Sequence, residues 1–244
     1  MKLEGKGIIV TGAGSGIGQA IAACFAAEGA LVVSVGRNLE KLERAREAAG
    51  DAASRIFPKA ADISGRQAVA EMAAWAEHKL GAVDILVNNA GTNIARRKLT
   101  ELSIDDFDRV VDVNLKGAYY CIHEVLPKMR KRRQGLIINV SSVAGVRASV
   151  LGGTAYSASK FGMSALSLMI GLEEGRHGIR SCLVCPGEVN TPILEERPVV
   201  PAPEKRAAML QPEDLAHAAL FIATLHPRAT IPELIITPAN QKFQ

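Results

Sequence analysis

The sequence predicts an α/β fold: a doubly wound, mostly parallel sheet of seven strands with helices on both faces, in one domain spanning residues 1–244. Three observations predict it. Short apolar runs alternate with helical segments along the chain, at the spacing of βαβ units. The first apolar run passes directly into a glycine-rich turn that opens a helix, an arrangement that aims free backbone N–H groups at a phosphate. Finally, the glycine turn, Arg37, Asp62 and Asn88 to Gly91 all fall at the carboxyl ends of predicted strands, where such sheets bind ligands.

Composition is that of an ordinary globular protein, with 48% hydrophobic and 22% charged residues in a chain of 244. A formal net charge of +4 is too mild to imply nucleic acid. No apolar run approaches the ~20 residues a membrane span needs, and Met1 to Lys6 lacks the apolar stretch of a signal peptide. Four scattered cysteines fit a reduced cytoplasm. The closest two, Cys182 and Cys185, point to opposite faces of a predicted strand, so they are not expected to share a metal.

Gly7 to Thr11 is the first strand. Gly12-Ala13-Gly14-Ser15-Gly16-Ile17-Gly18 follows, then an Ala-rich helix from Gln19 to Glu28. Glycines here let the backbone approach a pyrophosphate with no Cβ in the way. Leu31 to Val35 is the second strand. Dinucleotide sites of this pattern place an acid near its end, for the ribose 2′-hydroxyl. The chain instead reads Gly36-Arg37-Asn38, and a guanidinium there pairs with a 2′-phosphate. NADP(H) is therefore expected over NAD(H).

Leu39 to Ala49 is a charged surface helix. A weaker third strand, Arg55 to Ala60, leads to Asp62-Ile63, and Gly65 to Leu80 is helical. Val83 to Val87 is the fourth strand and runs into Asn88-Asn89-Ala90-Gly91. Asp105 to Arg132 reads as one long helix fraying past Pro127, with Val111, Asn114, Ala118, Ile122 and Val125 on one face. Asn114, polar in an apolar stripe, must find partners, whether as a tie to a neighbouring strand or as part of a site. The basic run Lys128 to Arg133 suits the end of a helix dipole.

Leu136 to Val140 is the fifth strand and ends in Ser141-Ser142. A loop then leads to Tyr156-Ser157-Ala158-Ser159-Lys160. Four residues apart on a helix, Tyr156 and Lys160 share a face, about 6 Å apart along the axis. A neighbouring ammonium favours the phenolate, which makes Tyr156 a candidate general acid/base. The helix 155–175 carries apolar residues around much of its circumference, including Phe161, Leu168, Met169 and Leu172, which predicts burial or a subunit contact. Ile179 to Cys185 is the sixth strand, followed by Pro186-Gly187-Glu188-Val189-Asn190-Thr191. The proline-rich stretch 192–205 is expected to be a mobile flap. A helix, Pro212 to Leu225, and a last strand, Glu233 to Thr237, close the chain.

Together these residues resemble the short-chain dehydrogenase/reductase family. Thr11 to Gly18 matches its Thr-Gly-x-x-x-Gly-x-Gly motif, and Asn88 to Gly91 its Asn-Asn-Ala-Gly. Ser142 matches the active-site serine, Tyr156 and Lys160 the Tyr-x-x-x-Lys pair, Asn114 the helix asparagine, and Pro186-Gly187 the Pro-Gly after the sixth strand. The stretch Arg228 to Leu234 departs from the family's glycine-rich ending.

The resemblance implies a Rossmann-like fold and hydride transfer between NADP(H) and a carbonyl or secondary alcohol of a small substrate, of 3-oxoacyl, hydroxy-acid or ketone type. It casts Tyr156 as the proton donor, Lys160 as its tuner and ribose ligand, Ser142 as donor to the substrate oxygen, and Asn114 as holder of a water leading to Lys160. For the cofactor it implies Gly12, Ser15, Gly16, Ile17 and Gly18 at the pyrophosphate, Asp62 and Ile63 at the adenine, Asn89, Ala90 and Gly91 along the dinucleotide, and Pro186, Gly187, Val189 and Thr191 at the carboxamide side. It also implies a homodimer or homotetramer with no nucleic-acid or membrane partner. A catalytically silent NADP(H)-sensing or scaffold protein, and an epimerase on the same cofactor, remain alternatives. Arg96, Arg97 and Arg147 read either as exposed loop charges or as receivers of an anionic group.

Overall fold

The structure is a computed structural model and describes residues 1–240; residues 241–244, the end of the predicted domain span, lie outside the described residues. The elements are β1 (Gly7–Thr11), α1 (Gly16–Ala27), β2 (Leu31–Gly36), α2 (Leu39–Glu47), β3 (Ile56–Ala60), α3 (Arg66–Leu80), β4 (Ile85–Asn88), α4 (Ile104–Val111), α5 (Gly117–Arg132), β5 (Gly135–Val140), α6 (Thr154–Glu174), β6 (Ile179–Pro186), α7 (Pro203–Ala207), α8 (Pro212–Thr224) and β7 (Glu233–Ile236). The seven strands form one sheet in the order β3-β2-β1-β4-β5-β6-β7. Every pairing is parallel, so the sheet goes beyond the "mostly parallel" expectation.

Alternation along each strand sorts the core into two layers. Ile8 and Val10 of β1 face the side covered by Ile21 and Phe25 of α1 and by Leu215 and Ile222 of α8. Ile9 faces the other side, against Met72 of α3, Cys121 and Ile122 of α5 and Ile170 of α6. Cover on both faces is why the strands read as unbroken apolar runs. The strand order reverses direction between β1 and β4, and the crevice at that point lies beyond the carboxyl ends of both.

Three expectations change. The predicted helix from 105 to 132 is interrupted: α4 and α5 are joined by a π-helical turn, Asp112–Lys116. That wider turn rotates the buried face, so the stripe runs through Val110 rather than Val111, then Asn114, Ala118, Ile122 and Val125. Pro127 does not fray the helix, which continues to Arg132 and closes on Arg133 in the left-handed region (φ 53°). Helix α6 buries Ala155, Met163 and Ile170 on one side only; Phe161, Leu168, Met169 and Leu172 (78% exposed) form an open apolar face on the other.

The stretch 192–205 is a tethered cover rather than a loose flap. It contains a 3-10 turn, Pro192–Glu196, whose Leu194 is buried, and the start of α7. Arg197 Nη1 donates to Glu188 Oε1 at 2.7 Å, and Arg206 pairs with Glu195.

Candidate active site

The glycine turn and the loop after β4 clasp each other. Thr11 Oγ1 accepts from the N–H groups of Asn89 and Ala90, both at 3.1 Å, and Asn89 Nδ2 donates to Thr11 O at 3.0 Å. Gly12 sits at φ 67° with its Cα bare against this loop: a Cβ there would lie 2.8 Å from Ala90 Cα. At Gly18 a Cβ would lie 2.4 Å from Asn89 Nδ2, so this glycine lets α1 pack onto the turn. Ser15 is the N-cap of α1 and makes no side-chain cap, and no acid stands in the first turn. The helix therefore offers uncapped N–H groups, beside bare glycine backbone, to an anion. Uncapped N–H groups beside a glycine turn fit a pyrophosphate, so the site suits a dinucleotide.

Above this cradle lies a cavity of about 410 Å³. Of the residues the sequence singles out, it brings together Gly12, Ser15, Gly16, Ile17, Asn89, Ala90, Gly91, Ser142, Tyr156, Lys160, Pro186, Gly187, Val189 and Thr191 on one wall system. Five stand outside it. Gly18 and Asn114 are buried behind it, and Ile63 packs on Gly117, where a Cβ would lie 2.7 Å from Ile63 Cδ1. Arg37 is exposed at the end of β2. Asp62 follows β3 and accepts from Ser64 N (2.9 Å) and Ser64 Oγ (2.7 Å). Burial alone would raise the Asp62 carboxyl, but the Ser64 bonds and the nearby Arg37 charge hold it below its ordinary value.

Ser142 follows β5 and Tyr156 lies in the first turn of α6; both line the cavity, and the Ser142 hydroxyl acts on the Tyr156 phenol. Ser142 Oγ also accepts from Ala144 N at 3.1 Å. One turn further along α6, Lys160 is 3% exposed; its Nζ donates to Val140 O at 2.9 Å and lies 5.7 Å from the Tyr156 ring centre. Burial pulls the Lys160 ammonium down to about 8. Burial also raises the Tyr156 phenol above its ordinary value, against the pull of Ser142, Arg97 and Arg197. The sequence expectation that a lysine neighbour makes this phenol easier to ionise is thus corrected: desolvation outweighs the charges.

Asn114 lies in the π-helical turn and spends its amide on protein. Oδ1 accepts from Thr92 N at 2.8 Å, and Nδ2 donates to Thr92 O (3.0 Å) and Ser159 Oγ (3.1 Å). Of the two readings open in the sequence, the tie is visible, to the loop after β4 rather than to a strand. Gly91 borders both groups: a Cβ there would lie 3.5 Å from Asn114 Oδ1 and 3.6 Å from Lys160 Nζ.

Sequence reasoning missed other parts of the cavity. Behind the cavity wall, Cys185 near the end of β6 is buried close to Ser142 and Lys160; burial pushes its thiol up to about 12. Its strand position pointed to the sheet's carboxyl end, but nothing marked its neighbours. Arg97, read mainly as a loop charge, is 6% exposed and lines the cavity with Asn93 and Arg197. Ile94 stands outside the cavity, in a small core with Val110 and Ala155.

Comparison with known proteins agrees with this geometry. A family model described as short chain dehydrogenase matches residues 6–199. A 3-oxoacyl-(acyl-carrier-protein) reductase of Thermotoga maritima is 36% identical over 233 residues, covering 92% of each chain. Among solved structures, a metagenomic short-chain oxidoreductase in complex with NADP has a TM-score of 0.85 at 32% identity, over 98% of this chain and 100% of that one. A 3-ketoacyl-(acyl-carrier-protein) reductase from Brucella melitensis complexed with NADH has a TM-score of 0.87 at 32% identity, over 97% and 98%. A parallel sheet of this order, a glycine cradle at its switch point and a serine-tyrosine pair beside a buried lysine thus come with an extended sequence match: this chain belongs to the short-chain dehydrogenase family and is an oxidoreductase.

Proposed function

We propose that this chain, acting as a single nucleotide-binding and catalytic unit, is an NADP(H)-dependent reductase of a small carbonyl substrate and, in reverse, a dehydrogenase of the matching secondary alcohol. The observation that carries it is the joining of the Ser142–Tyr156 hydroxyl pair, Lys160 and the glycine cradle in one cavity. When bound, the nicotinamide supplies the hydride to the carbonyl carbon or takes it back. Tyr156 gives its phenolic proton to the carbonyl oxygen as negative charge develops there. Tyr156 holds its proton at neutral pH, so the proton is present for the reducing direction. Ser142 donates to the same oxygen. Lys160 stays largely protonated at neutral pH and places a positive charge behind the phenol and towards the ribose. Asn114 acts as a positioning residue, fastening the loop after Gly91 over Lys160.

Arg37 supports NADP(H) over NAD(H), since a fork of N–H donors stands where this pattern otherwise has a carboxylate. The same assay tests activity and preference: NADPH and NADH oxidation against a panel of 3-oxoacyl thioesters, oxo-acids and ketones. Turnover with kcat/KM at least about 10-fold higher for NADPH is expected. Equal or better use of NADH removes the role of Arg37, and nucleotide binding without consumption points to a sensor.

The open apolar face of α6 supports a homodimer or homotetramer, because Phe161, Leu168, Met169 and Leu172 form a contiguous exposed patch on one helix. Light scattering that returns a monomer mass at micromolar concentration excludes this. Among the described residues no helix is long and apolar enough to cross a membrane. Four free cysteines support a reducing, cytoplasmic setting.

A further inference from the structure

Arg97 poses an electrostatic question that hydride transfer does not answer. Its guanidinium is 6% exposed, and its partners are three main-chain carbonyls: Nε to Ile94 O at 2.8 Å, Nη1 to Leu151 O at 2.7 Å, and Nη2 to Glu196 O. Among the described residues no carboxylate forms an ion pair with it. The other guanidinium of the cavity, Arg197, shares the Glu188 carboxylate (2.7 Å) with Lys205 (3.8 Å) and repels Arg97. The Glu196 carboxylate and the Tyr156 phenol act on Arg97 without an ion pair, but burial and Arg197 outweigh them; a buried cation so placed is costly, and functional sites are where such a cost is retained. A guanidinium carries five N–H donors, so two remain, one on each terminal nitrogen. That pair has the spacing of a carboxylate's two oxygens.

The cation also sits close to the chemistry. Arg97 lines the same cavity as Ser142 and Tyr156. Its main-chain oxygen accepts from Thr154 N at 3.2 Å, and its Cβ presses on Gly153 so closely that a Cβ on that glycine would lie 2.5 Å away. Both contacts fasten it to the turn of α6 that presents Tyr156. One buried guanidinium with two donors left matches a carboxylate's single charge and two oxygens.

We propose that Arg97 seats the carboxylate of the substrate, so that the compound reduced is a small oxo-acid and its product a hydroxy-acid. This rests on the hydride-transfer reading above and selects among its substrate classes. Neutral ketones and thioesters leave the Arg97 charge buried and unmatched. Acids bring the missing charge and are held with the carbonyl facing Tyr156.

The test compares small 2- and 3-oxo acids, acetoacetate among them, with their methyl esters. In NADPH oxidation by the wild-type enzyme, kcat/KM for the best acid is expected to exceed that for its ester on the order of 100-fold. Arg97→Gln is expected to lower that ratio by a similar factor, and Arg97→Lys to restore part of it. Esters used as well as acids overturn the proposal. So does an Arg97→Gln variant that slows acid and ester equally, since Arg97 then serves only to tie three loops. Should the variants fail to fold, the wild-type ratio decides. Calorimetry with acetoacetate and the NADP-loaded protein separates this proposal from the reading beneath it. Acid binding that needs Arg97, with no turnover of any compound, keeps the carboxylate seat and removes the reductase. Turnover of neutral ketones with no acid binding does the reverse.

Discussion

Tyr156→Phe is expected to lower kcat about 10³-fold or more while leaving the dissociation constant for the nucleotide within a few-fold of wild type. The substitution removes one oxygen and keeps the ring in its place beside Lys160 and the small core of Ile94, Val110 and Ala155. Loss of the proton donor forces the alkoxide to take its proton from solvent in a cavity whose walls already bury the phenol. Cofactor affinity, by contrast, is expected to come from the glycine turn and the uncapped α1 N-terminus, which the hydroxyl does not support. Steady-state kinetics with fluorescence titration of the nucleotide separates the two quantities. A variant that keeps even a tenth of wild-type turnover assigns the proton to another group, and a variant that loses nucleotide binding shows that the hydroxyl is structural.

The second large effect is on stability. Lys160 titrates at about 8 in the folded protein against an ordinary lysine value near 10.5. Below pH 8 both states hold the proton and the folded state carries the full cost of a buried ammonium. Between about pH 8 and 10.5 the unfolded chain binds a proton that the folded chain has shed, so unfolding free energy rises with pH across that window. The shift corresponds to about 3 kcal/mol at most. Lys160→Met lacks this term. The stability of wild type relative to Lys160→Met should therefore improve by about 2–3 kcal/mol between pH 7.5 and 10.5. Parallel urea melts of the nucleotide-free proteins at four pH values measure it. A difference that stays flat with pH means that the ammonium is hydrated. The same variant is expected to lose about 10²-fold or more in kcat, because the charge behind Tyr156 is gone.

Much of this site is legible in the sequence because its parts are local. The cradle needs glycine where the backbone turns and where a Cβ meets Ala90 or Asn89, and glycine spacing records both. Tyr156 and Lys160 are one helical turn apart, so their shared face follows from their spacing. Ser142 and Asn88 to Gly91 stand at strand ends that the apolar runs mark. What stayed hidden depends on contacts between distant segments. Arg97 looks like any loop arginine until the loops after β4, β5 and β6 each turn a carbonyl towards it. The prolines of 192–205 suggest looseness, and only the placement of Glu188 and Glu195 shows what holds that stretch. The π-helical turn has no marker of its own, because an added residue in a helix changes which side is buried without changing composition.

The strand order has a kinetic consequence. Strand β1 is an interior strand of the sheet, yet its second neighbour is β4, so that Ile8 pairs with Ile85. A ribosome-bound chain can assemble β1, β2 and β3 early, but one edge of β1 stays bare until β4 has been synthesised and its long loop closed. Nascent chains halted before that point expose an apolar strand edge and should depend on chaperone cover, and refolding of the whole protein should be limited by closing that one seam.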